Sequence, residues 1–359
     1  MHRIAHIAAL TGLLFTCNAI AAAPPASGTS AEPAATTAPP ATPPRSSADQ
    51  QRVGAIQQYQ HDLVSVVALR ADAGYLLGAA ILAKPFEKQT PGLDFDALSA
   101  RAAAAPGAGP ATRWARLAVC ETQADCPNAE AFAYLKEHAA DNAAVWLVEL
   151  DLAAAKDDAK AEHVALQKAA AATSYDDYYG QALAGVARAV DVLPPLPDTT
   201  DGAHDGQPDN ADGVRVLVAA NATRSHPRPD LDPLVALCAS DAVADDKDTR
   251  QACLKVAHTL QWGSSPIARA AGLHIQGRLE PDDKSQTGRA SRDLAWQVQQ
   301  YSTLLQRALT DSAQASRWLA TARNGGTELS LILATLRANG VPLEAPADDT
   351  PAPATSGSS

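Results

Sequence analysis

Four of the five cysteines fall into two close pairs, and their residue type and spacing are the first sign of possible chemistry. Cys120 and Cys126 are the first and last residues of CETQADC, and Cys238 and Cys253 flank an Asp-rich turn. Neither spacing is the CxxC of a redox motif or a zinc knuckle. Four cysteines allow three pairings, and proximity along the chain favours Cys120–Cys126 and Cys238–Cys253. We predict two structural disulfides, each joining consecutive helices.

Other residues that do chemistry are not arranged in a recognisable motif. The histidines are scattered without HExxH, and GxSxG, Walker and GxGxxG motifs are missing from the sequence. In the Pro-, Gly- and Asp-rich stretch at 193–213, the residues Asn210, Asp212 and Gly213 imitate an EF-hand loop. Pro208 and Ala219, however, occupy ligand positions that need carboxylates. We therefore predict no catalytic residues, no metal ligands and no cofactor, and only loose attraction of cations to this stretch.

One aromatic cluster, SYDDYYG, stands out in a chain that is 4% aromatic. Tyr175, Tyr178 and Tyr179 beside two aspartates are suited to a surface that binds a peptide or a sugar. The alternative is a helix start at Ser174, capped by its hydroxyl, whose tyrosines pack against the preceding helices. Both interpretations are open at the level of sequence.

The first residues predict export. An apolar run follows Arg3, and small residues follow at Ala19 and Ala21, which is the layout of a secretory signal peptide cleaved after Ala21. The chain would then be periplasmic or secreted. An alternative is a lipoprotein acylated at Cys17, although Thr16 departs from the usual small residue before that cysteine.

Charge and hydropathy limit the partners. The net charge of -11 argues against nucleic acid, because phosphate contacts need an excess of Lys and Arg. Beyond the signal, no apolar run approaches the roughly 20 residues of a membrane-spanning helix. We expect a partner that is an envelope protein or a peptide, and the oligomeric state is not indicated.

The elements that must position these residues are helices. Apolar residues recur at helical spacing, as in Leu294, Val298, Tyr301 and Leu305, and alternating strand patterns are essentially missing. We predict an all-α protein of stacked antiparallel hairpins. Its predicted parts are a signal peptide at 1–21, a disordered Pro/Ala-rich linker at 22–46, helical subdomains at 47–192 and 214–340 joined by a flexible loop at 193–213, and a disordered tail at 341–359.

The run DNAAVWLVELDLAAAKDDAKAEHVALQKAAAA resembles one degenerate tetratricopeptide (TPR-like) unit. Trp146 opens its first helix, and Ala161 and Leu166 occupy the small and large apolar positions of the second. The tryptophan pairs 114/146 and 262/296 are also close to the 34-residue period of such repeats. The resemblance implies an α-solenoid, with hairpins stacked into an extended binding surface.

Together these features predict an exported, non-enzymatic helical protein that binds a protein or peptide in the cell envelope. Two alternatives remain at this stage. The first is a cell-wall hydrolase or lyase whose active site has no sequence motif, and the second is a lipid-anchored structural protein of the envelope.

Overall fold

The architecture is all-α in the residues that the structure describes. This computed structural model describes residues 47–86, 90–119, 126–194, 210–239, 243, 246–281 and 284–346, without strands in those ranges. Its fifteen α-helices are α1 (Ser47–Val67), α2 (Ala73–Ala83), α3 (Phe95–Ala104), α4 (Pro110–Arg116), α5 (Ala129–His138), α6 (Ala143–Ala154), α7 (Ala159–Ala171), α8 (Tyr179–Ala189), α9 (Ala211–Ala222), α10 (Asp232–Ala239), α11 (Lys247–Gln261), α12 (Pro266–Leu279), α13 (Lys284–Ala308), α14 (Ser312–Arg323) and α15 (Glu328–Ala338). The predicted signal peptide, its linker and Cys17 lie outside the described residues.

Short polar side chains start most of these helices. A side-chain oxygen just before the first turn accepts a hydrogen bond from a backbone N–H that has no partner within the helix. The residues that do this are Asp72, Asp94, Asn128, Asn142, Asp158, Asn210, Asp246, Ser265, Asp311 and Thr327. The pair Asn339-Gly340 predicts the end of the last helix, and α15 does stop before Asn339, with Gly340 at a φ of 66°.

A first core is built from α1, α2, α3, α8, α9 and α14. Among its members that are at most 2% exposed are Leu63, Leu82, Leu98, Leu183 and Trp318. These helices come from both sides of the predicted loop at 193–213, of which 195–209 lie outside the described residues. The helical blocks before and after that loop therefore share a core, and all described residues belong to one compact unit.

Glycines allow the two central helices of this core to touch. A β-carbon on Gly78 of α2 would lie 2.4 Å from the carbonyl oxygen of Gly185 on α8, and one on Gly185 would lie 2.8 Å from the carbonyl oxygen of Gly74. Contacts this short are possible only between backbones without side chains. The pairing joins residues about a hundred positions apart, so the helices are not stacked solely on their sequence neighbours.

A second core is built from α4 to α7 and α10 to α12. Its fully buried members include Trp114, Leu135, Leu150, Leu166 and Leu260. Helices α6 and α7 form the hairpin that the tetratricopeptide resemblance implies, with Trp146 9% exposed and Leu166 buried. The all-α prediction is confirmed, whereas a TPR-like solenoid finds no support beyond helical hairpins of this kind.

The long helix α13 packs against α15, and the last described residues of the chain lie along its surface. Trp296 Nε1 donates to the Pro342 carbonyl at 2.9 Å, and Gln297 Nε2 donates to the Leu343 carbonyl at 2.7 Å. Asp293 accepts from the backbone N–H of Ala345 at 2.9 Å. Residues 341–346 of the predicted disordered tail are therefore ordered, and 347–359 lie outside the described residues.

Candidate functional site

The cysteines are placed as follows. Cys238 on α10 and Cys253 on α11 form a disulfide with Cα atoms 5.7 Å apart, and both are buried in the second core. This confirms the second predicted pair. Cys120 lies outside the described residues, so the bond from Cys120 to Cys126 stays a prediction. Pro127 is a residue type favoured at the first helical position, but α5 begins two residues later at Ala129, because Asn128 provides its cap.

The segment 174–178, which carries two of the three tyrosines, is not helical. A helix starting at Ser174 was wrong, since α8 begins at Tyr179 and the Ser174 hydroxyl donates to the Asp141 carbonyl. Asn142 holds the segment in a non-helical form. Its Nδ2 donates to the Asp176 carbonyl at 2.7 Å, and its Oδ1 accepts from the Asp176 N–H at 2.9 Å. These bonds compete with a helical turn and replace it.

The three tyrosines point into different surroundings. Tyr175 is 5% exposed and belongs to the second core. The ring of Tyr178 lies 5.6 Å from that of Trp114, and the ring of Tyr179 lies 4.8 Å from the Arg228 guanidinium carbon. Burial raises the pKa of all three. They pack against separate neighbours, and the idea that they form a binding surface stays a prediction.

Next to these tyrosines, three inter-helix connections and the start of α15 bring polar and charged groups together. We call Asp177, His226, Arg228, Ser264 and Glu328 the junction network. Arg228 Nη2 lies 3.0 Å from Glu328 Oε2, and Arg228 Nε lies 3.9 Å from Asp177 Oδ2. Ser264 Oγ donates to Asp177 Oδ1 at 3.1 Å. The His226 ring nitrogen Nε2 is 2.6 Å from the Asp177 carbonyl oxygen.

Burial shapes the electrostatics of the network. The Asp177 side chain is fully buried, and those of Glu328 and Arg228 are 19% and 25% exposed. Desolvation raises the pKa of Glu328, and the neighbouring Arg228 opposes that shift. Desolvation also lowers the pKa of His226 to about 4. A neutral imidazole and an ion-paired guanidinium therefore fill the junction at neutral pH.

The network fixes the turn between α11 and α12. Ser264 donates its backbone N–H to the Tyr175 carbonyl at 3.0 Å, and its own carbonyl accepts from the Leu329 N–H at 2.9 Å. On the outer side of the same turn, Trp262 is 78% exposed and Ile267 is 58% exposed. The Trp262 indole is therefore exposed to solvent on a turn whose backbone is hydrogen-bonded to Tyr175 and Leu329.

A cleft opens between α7, α11 and α12, which we call the α11 cleft. Its volume is about 710 Å³, within the range of about 300–1,000 Å³ that small-ligand sites occupy. One wall is the end of α7, and the others are faces of α11 and α12. The residues that line it are Ala170, Ala171, Ala172, Thr173, Gln251, Leu254, Lys255, His258, Thr259, Gln276 and Glu280.

Helical register places Trp262 on the same face as the cleft. Gln251, Lys255, His258 and Trp262 follow one another at steps of four, three and four residues, which keeps them on one side of α11 and its final turn. All four are exposed. The face therefore combines polar groups that can donate hydrogen bonds with an aromatic ring, an arrangement suited to binding rather than to packing.

This site was not identified from the sequence, where Trp262 served only as a marker of repeat spacing. The available signal was QWGSSP: a tryptophan directly before a Gly-Ser-Ser-Pro turn cannot be followed by another helical turn that covers it. The cleft itself required three helices, one of them more than seventy residues before the other two, and no local pattern reports that.

Among the residues that the structure describes, no set of three His, Cys, Asp or Glu side chains is arranged to hold a metal ion. None of the helices described is both long enough and apolar enough to cross a membrane. No protein-family model, curated protein or solved structure matches the chain.

Proposed function

We propose that this chain is a non-enzymatic binding protein of the cell envelope that engages a protein or peptide through the α11 cleft and Trp262. The observation that carries the proposal is the exposed Trp262, on the same helical face as an open cleft. Tryptophan is enriched among the residues that dominate binding energies. This ring is 78% exposed on an ordered turn, so the residues that the structure describes leave most of it uncovered.

The rigidity of the turn supports the same proposal. Binding costs free energy when loops and side chains must be ordered, and a surface that is already ordered avoids part of that cost. The bonds of Ser264 to Tyr175, Leu329 and Asp177 hold the turn before any partner arrives. The predicted signal peptide would place this surface outside the cytoplasm, and the net charge of -11 disfavours nucleic acid as the partner.

Site-specific photocrosslinking in intact cells tests the proposal. A photoreactive phenylalanine analogue at position 262 should yield a discrete crosslinked product. The control is the same analogue at Leu69, which is 84% exposed on the turn after α1. A product at 262 that is missing at 69 supports the proposal. Equal labelling at both positions, or none at 262, would reject it.

A second function is favoured by one observation, the raised pKa of Glu328 beside Asp177 in the junction network. A raised pKa extends the pH range over which a carboxyl group keeps its proton, which is a property that the general acid of a cell-wall hydrolase requires. Purified protein and its Glu328→Gln variant, incubated with isolated cell-wall polymer, decide between the two. Release of soluble fragments by the wild type alone would establish hydrolysis and displace the binding proposal.

A further inference from the structure

The α11 cleft has walls of opposite charge, and this asymmetry specifies a ligand. We infer that it binds a di- or tripeptide with both termini charged, its carboxylate at Lys255 and His258 and its ammonium group at Glu280. The inference rests on the proposed function, because it names the ligand class of the same site. It concerns the polar lining of the cleft and does not depend on Trp262.

The cationic wall is available to a ligand. Lys255 is exposed, and among the described residues no carboxylate pairs with its ammonium group. His258 is exposed one helical step further along α11 and offers ring nitrogens on the same face. A carboxylate bound there would receive a charge-assisted hydrogen bond, which is about twice as strong as one between neutral groups.

The anionic wall is held in place by its neighbours. Gln276 Nε2 donates to Glu280 Oε2 at 3.2 Å, and Gln276 Oε1 in turn accepts from Gln261. Among the described residues no cation pairs with the Glu280 carboxylate. The carboxylate is therefore oriented by an amide without being neutralised, which leaves it able to accept hydrogen bonds from an ammonium group.

The distance between the two walls selects a short peptide. A β-carbon on Gly272 would lie 2.5 Å from the Ala257 carbonyl oxygen and 3.0 Å from the Gln261 nitrogen, which marks where α11 and α12 cross. Counting from that crossing in antiparallel helices offsets the backbone at Lys255 from the backbone at Glu280 by roughly 3–9 Å along the axis. An extended chain spans about 3.3–3.6 Å per residue, so a peptide of two or three residues is long enough to cover that offset.

The remaining wall suits a peptide of small residues. The end of α7 contributes Ala170, Ala171 and Ala172, and α11 contributes Leu254. These side chains offer methyl groups to the middle of a ligand and no charge that would compete with its termini. The backbone of such a ligand would lie against an apolar wall while its ends reach the charged residues.

Calorimetric titration with tri-alanine tests the inference on the intact exported protein. Tri-alanine with free termini should bind, and blocking its carboxyl end as an amide or its amino end by acetylation should weaken binding about tenfold or more. Lys255→Gln should weaken tri-alanine about tenfold yet leave the amide unaffected. Glu280→Gln should weaken tri-alanine similarly yet leave the acetylated peptide unaffected. Lys160→Gln, an exposed change near the start of α7, should alter neither.

The outcomes separate the two proposals. If tri-alanine gives no binding heat at millimolar concentration, or binds as tightly when both ends are blocked, the inference is overturned. If Lys160→Gln weakens binding as much as Lys255→Gln does, the effect reflects overall charge and the inference is also overturned. Crosslinking at position 262 can succeed in either case, so loss of the peptide ligand would leave the wider binding proposal standing.

Discussion

Replacing His226 by glutamine tests the electrostatics of the junction network directly. Its Nε2 faces the Asp177 carbonyl at 2.6 Å, and a carbonyl can only accept, so Nε2 carries a proton. Burial lowers the pKa of this imidazole to about 4; the bond to Asp177 opposes that shift, while Arg228 and Lys84 reinforce it. In the unfolded chain the same group would titrate near pH 6.5.

The sign and size of the effect follow from these two values. Because the folded pKa is lower, the unfolded state binds more protons between pH 6.5 and 4, and stability falls as the pH falls through that window. One unit of pKa difference corresponds to about 1.4 kcal/mol, so His226 should contribute about 3 kcal/mol above pH 6.5 that is lost toward pH 4. Glu328 acts in the opposite direction, since its raised pKa favours the folded state at low pH.

Urea unfolding at several pH values between 7 and 4 isolates the histidine. Glutamine can donate an amide N–H to the Asp177 carbonyl without titrating, and Glu328 is present in both proteins. The difference in unfolding free energy between wild type and His226→Gln should therefore move by about 3 kcal/mol toward the variant as the pH falls. Parallel curves for the two proteins would refute the reasoning, because they would mean that the imidazole titrates in the folded state as it does in water.

Two further predictions concern the scaffold. Replacing Cys238 and Cys253 by alanine should lower the unfolding free energy by about 3 kcal/mol, since the bond closes a loop with a sequence separation of 15. If the wild-type protein had the same urea midpoint under reducing and oxidising conditions, this prediction would be contradicted. Gly78→Ala should cost about 1–3 kcal/mol, because its methyl group would lie 2.4 Å from the Gly185 carbonyl oxygen. The control Gly54→Ala, with nothing within 4 Å, should be neutral or stabilising.

Most of the helices could be predicted from the sequence because the patterns that indicate them are local. Apolar spacing predicted the all-α class, and the Asn339-Gly340 stop ends α15 where expected. The prediction of a helix from Ser174 was wrong because Asn142, more than thirty residues earlier, hydrogen-bonds the backbone of Asp176 in a non-helical form. A capping pattern reports only which side chain is able to cap a helix, and it contains no information about a distant competitor for the same backbone.

The packing of α2 against α8 could not be predicted from the sequence for a related reason. Gly78 and Gly185 look like weak points in their helices when each helix is considered alone, because glycine lowers helix propensity. Only the close crossing of the two backbones explains them. The junction network has the same character, since its members come from three connections and the first residue of α15, and each one alone is an ordinary polar residue.

The interleaving of the two cores has a consequence for how a ligand would be recognised. In a solenoid each repeat contacts only its neighbours, so a binding surface can bend by small changes between repeats. Here the turn that carries Trp262 is bonded through Ser264 to Asp177 and to Leu329, which enter from distant parts of the chain. Moving that turn would separate a buried carboxylate from its hydrogen-bond donor, which costs more than exposing a surface group. The α11 cleft is therefore expected to select ligands by fit to a fixed shape, and selectivity should depend on ligand length as strongly as on terminal charge.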